Sequence, residues 1–152
     1  MEKAPQKLIP SNLSDNDLIS TLKASKLMRL REEVLAFDNA LTELAENATD
    51  MDLEELLKVL DDNCEHEEVM WGLVHFLESF DASKQLQALL NVVQELVVSA
   101  PRWTEIIHYR IFNDEPTRFL YQDMLMSVDL KTQQLVTKIL EDIAQKHELI
   151  NV

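Results

Sequence analysis

DDNCEHEEVMWGLVHFLESFD, residues 61–81, is the stretch from which the rest of the chain can be read. Its apolar spacing predicts a helix over 65–79 with two unlike faces. Val69, Leu73, Phe76, Leu77 and Phe80 recur at the three- and four-residue intervals of a helix packed on a core. Cys64, Glu68, Trp71, His75 and Glu78 fall on the other side, a polar and acidic stripe that nonetheless holds a tryptophan. Gly72, the only glycine, sits inside this helix. A mid-helix Gly costs on the order of 1 kcal/mol against Ala, a cost retained where a neighbouring helix or a partner packs closely.

Towards the N-terminus, residues 1–13 carry Pro5 and Pro10 and few apolar groups and read as a loose tail. Ser14 with Asp17 three residues on forms a capping box with Asp in place of the usual Glu. A short helix through Leu18, Ile19 and Leu22 follows. The stripe Leu27, Leu30, Val34, Phe37, Leu41 and Leu44 is out of phase with it, so a break is expected near Ala24–Ser25. Thr49 or Asp50 is expected to cap a helix over 51–60 with core residues Leu53, Leu56, Leu57 and Leu60.

Towards the C-terminus, Asp81 or Ser83 caps a helix reaching about Val98 whose apolar residues nearly surround it, the pattern of a helix lying between neighbours. Pro101 and Pro116 each mark a helix start. The first of these helices runs through Trp103, Ile106, Ile107 and Ile111, the second through Phe119, Leu120, Met124 and Leu125. Asp129 caps the last helix, with the stripe Val136, Ile139, Leu140 and Ile143. The expected fold is all-α: about seven helices in one compact domain over 14–152, stacked as successive right-handed hairpins in a HEAT-like manner.

Composition narrows the function. A hydrophobic content of 46% excludes a disordered chain, and one Gly among 152 residues leaves no supply of the turns that a sandwich or barrel needs. One cysteine and no apolar run long enough to span a bilayer point to a soluble, cytoplasmic protein, expected as a monomer. The net charge of −14 is unevenly placed: residues 1–31 hold six basic and three acidic groups, whereas residues 32–81 hold sixteen acidic groups and a single Lys, a net of −15. Such a field repels nucleic acid and anionic membranes and steers a basic partner into encounter, although net negative charge also serves solubility alone.

Catalytic signatures are weak. Glu105-x-x-His108 has the spacing of a carboxylate-bridged metal pair but lacks a second matching pair, and reads as a surface pair. Glu65-x-x-Glu68 and Glu78-x-x-Asp81 resemble the acidic motifs of helical nucleotide pyrophosphatases, yet on one helix they stand ~15 Å apart and cannot share an ion. No phosphate-binding glycine loop is available. No metal site, cofactor or enzymatic activity is expected. Arg110, placed among Trp103, Ile107 and Ile111, should seek a carboxylate, Glu78 or Glu68; pairing with Glu78 would make that residue structural.

HEEVMWGLVHFLESF, SAPRW and YRIFND, in that order, resemble the helical immunity proteins of bacterial polymorphic toxin systems, in particular the immunity protein 30 group, over roughly residues 30–145. The resemblance implies a cytoplasmic protein that binds and neutralises a cognate toxin domain, often a nuclease, delivered by a competing cell. The matching positions are Glu68, Trp71, His75 and Glu78, then Trp103, then Arg110, each of which binds toxin or holds the fold. The charge suggests the contact surface: Asp50, Asp52, Glu54, Glu55, Asp61, Asp62, Glu65 and Glu68, with Trp71. A helical-repeat scaffold without a toxin partner is the alternative, and a metal-dependent hydrolase a more distant one.

Overall fold

Every regular element in the computed structural model, which describes residues 14–47 and 51–151, is a helix. There are eight among the described residues: α1 (Asp15–Ser25), α2 (Arg31–Asn47), α3 (Leu53–Leu57), α4 (Glu67–Glu78), α5 (Ala82–Ser99), α6 (Pro101–Asn113), α7 (Glu115–Leu125) and α8 (Leu130–Asn151). The protein is all-α. The proposed tail, Thr49, Asp50 and the side chains beyond residue 148 lie outside what the structure describes.

Local chemistry sets the helix starts. The Ser14 hydroxyl accepts from Asp17 N at 3.1 Å while the Asp17 carboxylate accepts from Ser14 N at 3.4 Å, a reciprocal box that occupies two otherwise orphaned amides. Asp52 caps α3, Asp81 caps α5, Asp114 caps α7, and Asp129 accepts from Thr132 N at the start of α8. Pro101 occupies the first position of α6. The break after α1 falls as expected, but the chain does not re-enter a helix at Leu27. Met28 takes a left-handed backbone (φ 52°) with its side chain fully buried, and Leu30 stands 61% exposed before α2 begins.

The chain divides into two compact units, the boundary falling inside α4 between Phe76 and Leu77. In the first, α1 packs on α2, and Leu22, Phe37, Leu44, Leu56 and Leu60 are buried. The core face of α4 in this unit is Met70, Leu73 and Val74, not the Val69–Leu73–Phe76 register; Val69 and Phe76 are only half-buried. In the second, α5 packs against α6, α7 and α8 and buries seven residues, as its nearly continuous apolar girdle requires. Trp103, Tyr121, Leu86, Leu96 and Val136 complete that core, whereas Phe119, expected inside, is 56% exposed.

Candidate partner-binding surface

Lys23 of α1 and Lys26, the residue that ends that helix, engage carboxylates of the acidic segment. Lys23 and Lys26 lie three residues apart and so on one side of the helix. Lys23 Nζ bonds Glu55, which also takes Lys58 Nζ at 3.1 Å, and these lysine hydrogen bonds hold the Glu55 carboxyl below the usual carboxylate range. Lys26 reaches Asp61 at 3.4 Å, while Asp61 Oδ1 accepts from Asn63 N at 2.8 Å to close a tight turn. Two residues on, Glu65 N donates to Leu27 O at 3.0 Å. The link between α3 and α4 is thereby fastened to the corner between α1 and α2. Glu55 and Asp61, expected to face a partner, each pair with cations of the protein itself.

The remaining expected contact residues are placed otherwise. Asp52 is exposed, though its side chain accepts from Glu55 N at 3.2 Å as the cap of α3. Glu65 and Glu68 are exposed, and Glu54 and Asp62 are half-buried. Glu68 stands 3.3 Å from His66 Nδ1, and its own backbone amide together with that ring holds its carboxyl below the ordinary value. Trp71 is half-buried with its ring 5.8 Å from that of His75, tilted by 36°. Cys64 does not continue the polar stripe: it precedes α4 and is buried. Asp50 lies outside the described residues.

Within the second unit, Arg110 grips Glu78 with both arms, Nε to Oε2 at 2.5 Å and Nη2 to Oε1 at 2.7 Å, the fork geometry that suits a guanidinium to a carboxylate. The pair raises the Arg110 pKa further, and it gives Glu78 a partner within the fold. Trp103 has no exposed surface, so it holds the core.

The family model described as Immunity protein 30 matches residues 24–121, from the end of α1 to the middle of α7. The chain belongs to the Immunity protein 30 family. The matched span contains the whole acidic segment, the Glu78–Arg110 pair and Trp103. No curated protein and no solved structure matches the chain. Among the described residues, no helix of this immunity protein is long and apolar enough to cross a membrane.

The Glu105-x-x-His108 spacing proves to join unrelated partners, and the surface reading of His108 is wrong. Glu105 turns outward to Lys146 at 2.6 Å. His108 is fully buried, with Nδ1 2.7 Å from Thr104 O and Nε2 2.8 Å from the Tyr121 hydroxyl. Because a carbonyl only accepts, Nδ1 carries the hydrogen and Nε2 accepts from Tyr121. Burial pushes the ring pKa down to about 4 against a weaker opposing pull from the Thr104 carbonyl, and burial raises the Tyr121 hydroxyl above its ordinary value. Sequence reasoning missed this trio. The signal was there in Thr104, His108 and Ile111, which share the four- and three-residue spacing of one buried helix face. Likewise Asp81, from the second acidic motif, caps α5 by accepting from Ser83 Oγ at 2.5 Å and Lys84 N at 3.3 Å. Among the described residues, no three His, Cys, Asp or Glu side chains gather where they could hold a metal ion.

Proposed function

We propose that this immunity protein neutralises a cognate toxin domain with a basic, nuclease-type surface by presenting carboxylates where that toxin would bind phosphates. A nuclease groove must be cationic to hold its polyanionic substrate. Carboxylates arrayed opposite such a groove form charge-assisted hydrogen bonds with its arginines and lysines and raise the rate of encounter. The contact set narrows to Asp52, Glu54, Asp62, Glu65 and Glu68, with Trp71 as the apolar anchor beside them. Glu55, Asp61 and Glu78 act within the fold. The observation that carries the reading is the charge balance of residues 32–81, sixteen acidic groups against one Lys, in a member of an immunity-protein family. Inhibition is by occupancy, without catalysis by this chain, and takes place in the cytoplasm. Residues 14–152 act as one domain.

The test is a triple reversal, Asp62→Lys, Glu65→Lys and Glu68→Lys, in binding kinetics with the catalytically inactivated product of the upstream gene. Association should slow by about tenfold at low salt and lose most of its ionic-strength dependence. Unchanged kinetics together with unchanged protection of cells would remove this surface from the mechanism.

A further inference from the structure

The link between α3 and α4, residues 58–66, has no helix of its own and leads into the first turn of α4. Asp61, Asp62, Glu65, Glu67 and Glu68 crowd into its second half and that turn. Repulsion among like charges favours a splayed loop. The structure gives the link a defined path instead. Val59, Leu60 and Cys64 are buried, and Asp61 accepts twice, at Oδ1 from Asn63 N (2.8 Å) and at its carbonyl from Cys64 N (3.3 Å). Two further anchors come from the end of α1 and the corner that follows it. Lys26 Nζ lies 3.4 Å from Asp61 Oδ2, and Leu27 O accepts from Glu65 N at 3.0 Å.

The second anchor accounts for the backbone of Met28. A peptide unit is planar, so the Leu27 carbonyl is aimed by two rotations only, ψ of Leu27 and φ of Met28. That φ is 52°, a left-handed value that a non-glycine keeps where its surroundings over-determine it. The amide of the same peptide unit, Met28 N, donates to Ser25 O at 3.1 Å. Both polar groups of one peptide are thus engaged, one closing α1 and the other holding the link, while the buried Met28 side chain pins the corner in the core. All of these residues lie within the first compact unit.

We propose that the corner at Lys26–Met28 is a positioning device: it holds the acidic link in its toxin-binding shape before the toxin arrives. A link ordered in advance loses less freedom on association than one that must be ordered by its partner. The proposal rests on the toxin-binding reading above. Lys26 and Met28 touch no toxin in it; they act through Asp61 and Glu65.

Amide exchange followed by NMR and binding to the inactivated upstream gene product test it together. In the free wild type the Glu65 amide should already be protected, and binding should add little; protection that appears only in the complex overturns the proposal. Lys26→Met should speed exchange at Glu65 by about two- to fivefold and leave the α2 amides of Leu41 and Leu44 unchanged, with Lys26→Arg restoring the wild-type rate. No acceleration in Lys26→Met overturns the role of that lysine. Two glycines inserted between Asp62 and Asn63 break the Asp61–Asn63 turn and keep every charged side chain. If the insertion leaves about one molecule in ten with the link in place, Kd should rise about tenfold, while association keeps its ionic-strength dependence. Wild-type affinity in the insertion variant, with the acidic triple reversal still weakened, overturns the positioning role and leaves the toxin-binding reading intact. Failure of the wild type to bind the upstream product overturns both.

Discussion

Mild acid should destabilise this protein through His108 before its carboxylates protonate. The ring is fully buried, donates from Nδ1 to Thr104 O and accepts at Nε2 from Tyr121, so a second proton would place a charge in the core. Its pKa is pushed down to about 4 by burial, against 6.5 for the same ring in water. Between these values the unfolded chain binds a proton that the folded chain refuses. Stability from this group is therefore complete above about pH 6.5, falls as pH drops through that window, and is lost below about pH 4. At 1.36 kcal/mol per unit, the loss by about pH 5 is about 2 kcal/mol, a substantial part of the ~5–15 kcal/mol that holds a domain folded. Glu55, Glu68, Asp81 and Asp129 have carboxyls held below their ordinary values, so their contributions disappear at lower pH. Urea denaturation at about pH 7.5 and about pH 5, on the wild type and on His108→Gln, measures the effect. A glutamine amide can donate to Thr104 O and accept from Tyr121 without titrating, so the variant should lose about 2 kcal/mol less than the wild type across that range. Equal losses in the two proteins would refute the buried neutral imidazole.

Gly72 gives a second prediction. A Cβ at that position would stand 3.3 Å from Leu41 Cδ2, tight but against a side chain able to yield. Gly72→Ala should therefore fall within about 1 kcal/mol of the wild type, its helix-propensity gain offset by the contact, whereas Gly72→Val should cost about 1–3 kcal/mol in denaturant titrations. Equal tolerance of both would mean that Leu41 does not confine the site. If residues 14–152 act as one domain, calorimetry and denaturation should report a single transition with matching calorimetric and van't Hoff enthalpies; two resolved transitions would assign separate stability to the units meeting at Phe76 and Leu77.

Features legible in the sequence were those fixed by near neighbours. Ser14 with Asp17, Asp81, Pro101 and Asp129 marked helix starts because a cap needs a particular side chain within three residues of the amide it serves. Phase was harder where apolar residues crowd all sides. In α4 the run Val69, Met70, Trp71, Leu73, Val74, Phe76, Leu77 satisfies more than one stripe, and only packing selects Met70, Leu73, Val74 and Leu77 as the buried set. Met28 gave no warning at all. A left-handed backbone is ordinarily signalled by Gly or Asn; here a methionine accepts a cost of about 1–2 kcal/mol, offset by complete burial of its side chain. The candidate surface was half-legible for a different reason. Charge density could be counted along the chain, but Lys23 and Glu55 are 32 residues apart, and no local rule pairs them.

That pairing separates the acidic residues by role, and the separation has consequences. Asp17, Asp52, Asp81, Asp114 and Asp129 satisfy amides at helix starts. Glu55, Asp61, Glu78 and Glu105 answer lysines or an arginine of the same molecule. A carboxylate already facing a cation at contact distance contributes a dipole to the surrounding field, and a dipole decays faster than a charge in screened solution. Asp62, Glu65, Glu67 and Glu68 crowd into seven consecutive residues, so their charges add at short range. Replacing a capping aspartate should alter stability with little change in association rate, whereas reversing charge within 62–68 should do the opposite. Stability would then answer to the capping aspartates, and the proposed recognition to the carboxylates crowded along one short link.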